Sequence, residues 1–491
     1  MIEIQTKIHD QFSIEFKVGF SGRDNVKNDC FDVNAWIFIP NGLYINKNTY
    51  SKDRFYTDMK SNIRLITPSF SLHEMTEGDD APIQHVKKAL ENIKKTPSTE
   101  HSEEMAFQLK LFGSIFKSSI RNESVNIISQ RDADTLVKLS EQYIANLKNV
   151  LRSYRSLVGI IDPKDDETMT IYSFTDEFMS HQVQIQTMKI IKAIKFHDGA
   201  DDASKIIIGF IEEETAYKIS KGYSHVIIGD DSNNRTLVRR HSLLKKYIES
   251  ALFLNVNTTQ DGKAVKQISF SLAAGLAMMV SMLAALPFQK YLGNYPSLIF
   301  VMLILIYMLK DRIKELTRWL FAYQLKDKYY DNRTIAKIKN RPIGRIKEGM
   351  DFISEDKLPA DVLKLRGRTK LEADNRLLDE KIILYRKRVE IDNDRLKNQY
   401  DYDFKGINDI IRYHINYLTK KMDNPETLID CLDEQGQVQT VKASRVYTLH
   451  FVIQFKWENQ VEYKDFHVDV NRNGIIGITS SSPQNPYHTL P

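Results

Sequence analysis

The chain has 491 residues, enough for about three domains of roughly 150 residues each. With 42% hydrophobic, 27% charged and 10% aromatic residues, the composition excludes collagen-like, low-complexity and wholly disordered chains. The net charge of +5, from 69 Lys and Arg against 64 Asp and Glu, is too balanced to predict nucleic-acid binding by the whole molecule. The two cysteines, Cys30 and Cys431, lie far apart, which excludes a disulfide framework and a cysteine zinc site.

Residues 1–80 are predicted to form a β-rich domain. An alternation typical of a half-buried strand is made by Phe12, Ile14, Phe16, Val18 and Phe20. A second apolar run ends at Pro40, and Asn41-Gly42 after it predicts a hairpin turn. The first residues contain no apolar run of the length that a signal peptide requires, so we expect none.

Residues 81–255 are predicted to form a helical bundle. Apolar side chains recur there at intervals of three and four residues, as in Leu136, Leu139, Tyr143, Leu147 and Leu151. Such spacing places them on one helix face, which packs into a core.

The most apolar part of the chain is 268–309, where Lys290 is the only charged residue. Within a hairpin region of 256–330, we expect transmembrane spans at about 268–287 and 295–309. The second span is only about 22 Å long at helical rise, so it needs help from flanking residues or a thinner bilayer. The alternative is a helical hairpin buried in a large core, which two adjacent runs with one charge disfavour.

Basic residues flank this region on both sides, while its turn has one lysine, which predicts that both termini are cytoplasmic. We therefore expect a multi-pass protein of a bacterial-type inner (cytoplasmic) membrane. The expected contacts with the membrane surface are Arg235, Arg239, Arg240, Lys245 and Lys246 before the spans, and Lys310, Arg312, Lys314, Arg318 and Trp319 after them.

Residues 331–480 are predicted to form a mixed α+β domain, followed by a tail at 481–491. Three antiparallel strands are indicated between Tyr447 and Ile478, with a helix from Phe404 to Leu418 covering them. The domain begins with a basic run that could contact phosphates of lipid or nucleic acid: Arg333, Lys337, Lys339, Arg341, Arg345 and Lys347. Because no aromatic residues interleave with it, a membrane surface is the preferred partner.

Residues 371–396 allow two interpretations. Apolar residues at heptad spacing could form a coiled-coil seam between two copies of the chain. Ile383, Tyr385, Val389 and Ile391 also alternate as in a strand, with Lys387 at an inward position. The strand is slightly favoured because turn-forming Asn and Asp follow it, and association into a homo-oligomer stays open.

No motif for phosphate binding, zinc proteolysis or serine hydrolysis is present, so we assign no catalytic residue, and we expect no metal and no cofactor. His225, Asp230, Asp231 and His241 lie close together in sequence and could in principle hold a metal. A solvated turn is the better interpretation, since their spacing matches no regular ligand set. Nucleic acid is not an expected partner.

These observations predict an α+β membrane protein. Its two-helix transmembrane hairpin lies between two cytoplasmic parts. The N-terminal part consists of a β-rich domain followed by a helical bundle, and the C-terminal part is an α+β domain with an antiparallel sheet. The expected function is a non-enzymatic scaffold, sensor or adaptor that contacts the lipid bilayer and a protein partner still to be identified. One alternative is a multimerising, membrane-perturbing effector that assembles through small residues such as Ala277 and Ala284. Another is a membrane-tethered enzyme with a dispersed site.

Overall fold

The computed structural model describes residues 2–23, 26–194, 201–291, 296–325, 330–338, 341–367, 380–397 and 402–480. The first elements are β1 (Ile2–Asp10), β2 (Ser13–Ser21), β3 (Asn28–Pro40), α1 (Lys52–Asp58) and β4 (Met59–Leu65). Long helices follow: α2 (Pro82–Lys95), α3 (Thr99–Ile128), α4 (Ala133–Ser156), α5 (Asp166–Ile194), α6 (Asp201–Ser220) and α7 (Asp231–Glu249).

The middle of the chain contains β5 (Asn255–Gln260), α8 (Lys263–Tyr291), α9 (Pro296–Leu325), β6 (Asn332–Ile338), β7 (Arg341–Ile353) and α10 (Ala360–Arg366). The last elements are β8 (Glu380–Asp392), α11 (Asn393–Lys397), β9 (Gly406–His414), α12 (Asn416–Thr419), β10 (Glu426–Leu432), β11 (Val438–Ser444), β12 (Tyr447–Trp457), β13 (Gln460–Asn471) and β14 (Gly474–Thr479).

The chain forms two compact units. The sheet unit comprises Met1–Ile63, Leu254–Tyr400 and Gly406–Pro491, and the helical unit comprises Arg64–Phe253 and Asp401–Lys405. Strands from the beginning and the end of the chain therefore belong to one unit, while α2 to α7 belong to the other.

The sheet unit contains a four-stranded sheet of order β1-β2-β9-β4 and an eight-stranded sheet of order β14-β13-β12-β3-β8-β7-β6-β5. In the larger sheet β3 lies between β8 and β12, and both pairings are antiparallel. Two sheets that each have one apolar face bury those faces against each other. Phe16 of the smaller sheet contacts Phe451 and Phe466 of the larger one, with ring centroids 5.6 and 6.0 Å apart.

Part of the other face of the eight-stranded sheet is covered by α10. Their contact forms a second apolar cluster of Trp36, Phe38, Leu358, Val362, Ile382 and Val452. Beside this cluster the outward positions are polar, as at Asp32 and Asn34 on β3 and their cross-strand partners Arg388 and Arg386 on β8.

The helical unit has an aromatic core. The ring of Tyr154 stacks on Phe112 and Tyr172, with centroids 5.3 and 4.9 Å away. Gly113 lies where α3 approaches its neighbours closely, since a Cβ there would come within 2.9 Å of the Ile248 side chain. Stacked aromatic rings and close backbone approach give this unit a dense interior.

The strands predicted around Phe12–Phe20 and between Tyr447 and Ile478 are confirmed as β2, β12, β13 and β14. The strand interpretation of residues 380–392 is confirmed as β8, which contradicts the coiled coil there; residues 371–379 lie outside the described part. The covering helix at 404–418 is wrong, because most of it is β9, paired with β2. A short apolar run by itself does not distinguish a strand from a helix. Here the segment is a strand because it pairs with β2, which lies far away in the sequence.

The hairpin turn at Asn41-Gly42 is also wrong. Residues Asn41–Leu43 form a short 3-10 turn, and the neighbours of β3 in the sheet are β8 and β12 rather than the next strand along the chain. The α+β class and the antiparallel sheets, in contrast, are present as predicted.

The two-helix transmembrane hairpin is wrong, and with it the multi-pass localisation in an inner membrane. Among the described residues, only Gln267–Leu286 of α8 is long and apolar enough to cross a bilayer, which by itself is weak support for a span. The chain leaves β5 into α8 and returns from α9 into β6, and β5 pairs with β6. A crossing by α8 alone would separate these paired strands, so it is incompatible with the sheet.

The register of the helix pair explains why α9 does not complete a crossing. The Arg318 guanidinium lies 5.1 Å from the ring of Phe270, so the helices run antiparallel and the charged half of α9 lies beside the first half of α8. Both helices are apolar together only over about residues 279–286 and 302–309. This shared length is about 12 Å at helical rise, less than half of the roughly 30 Å of hydrocarbon.

Candidate functional site

The feature of the sheet unit that most needs explanation is the pair α8–α9. Small side chains line its interior: Ala273 and Ala277 on α8 are 0% and 1% exposed. Because successive helical residues turn by 100°, these two alanines share one face, and that face packs on α9. The two helices thus approach each other through their smallest residues.

The large apolar side chains of α8 point away from α9. Met278, Met282 and Leu283 are 65%, 65% and 62% exposed, and only 11% of the apolar stretch of α8 is buried. Within the apolar stretch Gln267–Leu286 of α8, the large exposed apolar residues are Ile268, Leu272, Leu276, Met278, Met279, Val280, Met282, Leu283 and Leu286. A helix in a water-soluble core has the opposite arrangement, with its large side chains inside.

On α9 the exposed apolar side chains extend into the charged half of the helix. Leu305, Leu309, Leu316 and Leu320 are exposed and follow one another at four, seven and four residues, and exposed Trp319 lies three residues after Leu316, which places all five along one side. Lys310, Lys314 and Arg318 lie on other sides of the same helix, whereas Arg312, whose side chain is 85% exposed, lies within the stripe. This half of α9 is therefore amphipathic and has an exposed tryptophan in its apolar stripe.

The predicted membrane-surface contacts lie on two different units. Arg235, Arg239, Arg240, Lys245 and Lys246 are on α7 of the helical unit, and Lys310, Arg312, Lys314, Arg318 and Trp319 are on α9 of the sheet unit. Within the first group Arg240 has an internal role, since its guanidinium lies 2.6 Å from Glu177 and above the ring of Phe174. The structure brings the second group together along the last half of α9.

The alternative function as an effector requires several copies to assemble through small residues of the helix pair. Ala273 and Ala277 are buried within the pair, so they are used for packing inside one chain. They offer no support for assembly between chains, and a homo-oligomer stays a prediction.

The sheet unit also holds a buried ionic cluster that sequence reasoning missed, apart from placing Lys387 inward. The Lys387 ammonium lies 3.0 Å from Glu348 and contacts Asp409, and it is 3.2 Å from the Ser61 hydroxyl. Ser61 donates to Asp409 at 2.6 Å, and the Tyr385 hydroxyl donates to Glu348. The residues come from β4, β7, β8 and β9, so no local spacing could have indicated their meeting.

Burial and the neighbouring charges set the protonation of this cluster. Burial raises the pKa of Asp409, more than Lys387 lowers it. Burial would also raise the pKa of Glu348, but Lys387 and Tyr385 outweigh it and hold that pKa below its usual range. Burial alone would lower the pKa of Lys387, yet the two carboxylates raise it. The cluster thus holds one buried ammonium in contact with two buried acids, whose pKa values are displaced in opposite directions.

The helical unit has its own buried polar network. Arg155 on α4 donates to Asp176 at 3.0 Å and to both carboxylate oxygens of Glu214 at 2.6 and 3.1 Å. Tyr217 and Tyr223 donate to Asp176 at 2.7 and 3.0 Å. One guanidinium thus joins three helices, and its bidentate pair with Glu214 has the geometry that makes such pairs strong.

Beside this network two histidines stack. The rings of His181 and His241 have centroids 3.0 Å apart, and Nδ1 of His181 is buried with no hydrogen-bond partner in the described structure. Burial, the other ring and Lys218 lower the pKa of His181 to about 3, and burial, Lys218 and Arg240 lower that of His241 to about 4. Both rings are therefore neutral at pH 7.

Two of the four residues considered for a metal have structural roles. Asp230 caps the start of α7 by accepting from the Asn233 amide at 2.9 Å, and His241 stacks on His181. Within the described part of the chain, no group of three or more acidic, histidine or cysteine side chains could hold a metal ion.

The chain matches no known protein family, no curated protein and no solved structure. No residue role can therefore be transferred from a relative. The exposed apolar surface of α8–α9 and the basic half of α9 are the features that point most directly to a partner.

Proposed function

We propose that this protein is a non-catalytic adaptor that attaches to one side of a lipid bilayer through the α8–α9 pair. The attachment places the pair in the interface and requires no crossing. The proposal is supported by the arrangement of side chains in the pair: the large apolar ones point outward, and the small ones lie between the two helices. That arrangement is favoured where the surroundings are lipid, since hydrocarbon accepts large apolar side chains and small ones allow close helix packing.

Lipid explains the extent of the exposed surface better than a protein partner does. The exposed side chains of α8 cover more than half of its circumference at 100° per residue. Exposed apolar patches on soluble proteins seldom exceed a few hundred Å², and a protein that docks on one side would leave much of this surface in water. Lipid acyl chains, in contrast, can cover the whole of this apolar surface.

The basic half of α9 suits the headgroup region. With the apolar stripe of Leu309, Leu316 and Leu320 in the acyl boundary, Lys310 and Lys314 reach toward phosphates while their stems stay apolar. Trp319, which is 61% exposed, belongs at the same level, where amphipathic rings are enriched. The proposal therefore retains Lys310, Lys314 and Trp319 among the predicted membrane-surface contacts on α9.

Flotation with phosphatidylcholine vesicles tests the proposal. We expect the full-length protein to float with the vesicles and the triple variant Met278→Gln, Met282→Gln, Leu283→Gln to lose at least about 100-fold in partitioning. Each of these side chains contributes roughly 1.5 to 3 kcal/mol when fully buried from water, so three account for a loss of this size or larger.

A matched control makes the same chemical change on another exposed apolar surface of the sheet unit. Leu428, Leu432 and Val438 on β10–β11 are 66%, 68% and 75% exposed, and their change to Gln should leave flotation unaltered. If the wild-type protein stays at the bottom of the gradient, or if both triple variants lose flotation equally, the α8–α9 pair is not a lipid-binding surface.

A further inference from the structure

Three cationic side chains lie in one row on the outward face of the eight-stranded sheet. Arg333 on β6 is the cross-strand partner of Lys347 on β7, and Lys347 is the partner of Arg388 on β8. Directly paired residues share a face, and the positions on either side of them in β6 and β8, such as Thr334 and Lys387, are buried on the opposite face. We call these three residues the cationic row.

The charge of the cationic row is only partly balanced. Asp32 on β3 accepts from the Arg388 guanidinium at 2.7 and 3.0 Å. Arg333 and Lys347 have no carboxylate partner among the residues that the structure describes, and Nε of Arg333 is buried there with no hydrogen-bond partner. Like charges directly opposite each other on neighbouring strands destabilise a sheet, so the row has two positive charges whose repulsion a bound anion would remove.

The row lies at the end of the sheet from which the helix pair emerges. Gln260, near the start of α8, pairs with Asn332, and the adjacent pair is Thr259 with Arg333. The row is therefore one residue pair away from the strand ends that lead into α8 and out of α9. An anion at a bilayer surface would meet it when the pair lies in the interface.

We propose that the cationic row binds the phosphomonoester headgroup of an anionic lipid. This inference rests on the proposed attachment of α8–α9 to lipid, and it adds the headgroup chemistry that the protein selects. A phosphomonoester has a charge of about −1.5 to −2 near pH 7, which matches the two uncompensated cations. It also has several acceptor oxygens for the donors of Arg333 and Lys347.

The test compares binding of the full-length protein to vesicles of phosphatidylcholine alone and of phosphatidylcholine with phosphatidic acid. We expect tighter binding to the second, and we expect the double variant Arg333→Gln, Lys347→Gln to lose that preference by about 25-fold, since each basic residue near an anionic surface accounts for about 5-fold. Binding to phosphatidylcholine alone should not change. That arm reports on the α8–α9 attachment, so failure of the proposed function is seen separately.

The matched control is Lys442→Gln, Lys464→Gln, which removes two charges from lysines of the same unit that already lie beside carboxylates. It should keep the preference for phosphatidic acid. Equal losses in both double variants would overturn the proposal in favour of diffuse charge. An unchanged preference in the Arg333, Lys347 variant would also overturn it, because the row would then not bind the headgroup.

Inorganic phosphate and a single-stranded oligonucleotide serve as competitors. If either binds the row while vesicles with phosphatidic acid show no preference, the ligand is a free phosphate or a nucleic acid and the headgroup assignment is wrong.

Discussion

Replacing Lys387 by Met is expected to lower the free energy of unfolding by about 3 to 5 kcal/mol. The change removes the ammonium that lies 3.0 Å from Glu348 and contacts Asp409, and it leaves both acids buried without a cation. An uncompensated buried charge costs more than the original pair contributes, because desolvation is no longer offset. Urea unfolding followed by circular dichroism would measure the change.

Two further variants keep this prediction decisive. Lys442→Met alters an exposed lysine on β11 and should change the free energy of unfolding by no more than about 0.5 kcal/mol. If the Lys387 variant does not fold, combining it with Glu348→Gln and Asp409→Asn should restore folding, because the buried charges are then gone. A loss below about 1 kcal/mol for Lys387→Met alone would show that the cluster does not behave as a buried ion pair.

Acidification from pH 6.5 to pH 4 is expected to destabilise the helical unit through His181 and His241. The unfolded chain takes up a proton at each histidine near pH 6.5, whereas the folded state resists until the pKa values of about 3 and 4. Stability is therefore fully present above pH 6.5 and declines as pH falls toward 4. The slope per histidine is at most about 1.4 kcal/mol per pH unit, and partial exposure of the rings reduces the total to roughly 3 kcal/mol.

Urea unfolding at pH 7 and at pH 4.5 checks this linkage. The double variant His181→Phe, His241→Phe keeps two stacked rings but cannot be protonated, so its stability should fall less between the two pH values than that of the wild type. His73→Phe changes an exposed histidine of the same unit and should leave the pH dependence as it was. If the wild type and the double variant lose equal stability on acidification, carboxylates alone account for acid unfolding.

Patterns with a short period were predictable from sequence. The alternation at Tyr447, Leu449 and Phe451 predicted β12, because a strand with one buried face repeats every two residues. The spacing of Leu136, Tyr143 and Leu147 predicted α4, in which these three residues are buried. In both cases the apolar residues that define the element lie within a few positions of one another, so their spacing alone predicts it.

Pairings between distant segments were not predictable. The prediction of a helix at 404–418 failed because β9 gains its hydrogen bonds from β2, about 390 residues earlier. The ionic cluster was missed for the same reason, since Ser61, Glu348, Lys387 and Asp409 lie on four strands and no spacing along the chain relates them. In the candidate site, sequence predicted the apolar run, the basic residues of α9 and a basic run that includes Arg333 and Lys347. It did not predict that these two residues meet Arg388 in one row, because that row exists only through the cross-strand register.

The sequence by itself determined that this protein has one strongly apolar region flanked by basic residues, because hydropathy and charge are properties of each residue and do not depend on the fold. The tertiary structure alone decided what that region can do. Pairing of β5 with β6 returns α8–α9 to one edge of the sheet, and the antiparallel register sets the charged half of α9 beside the first half of α8. These long-range contacts leave too short a shared apolar length for a crossing, while the burial of small residues between the helices turns the large ones outward.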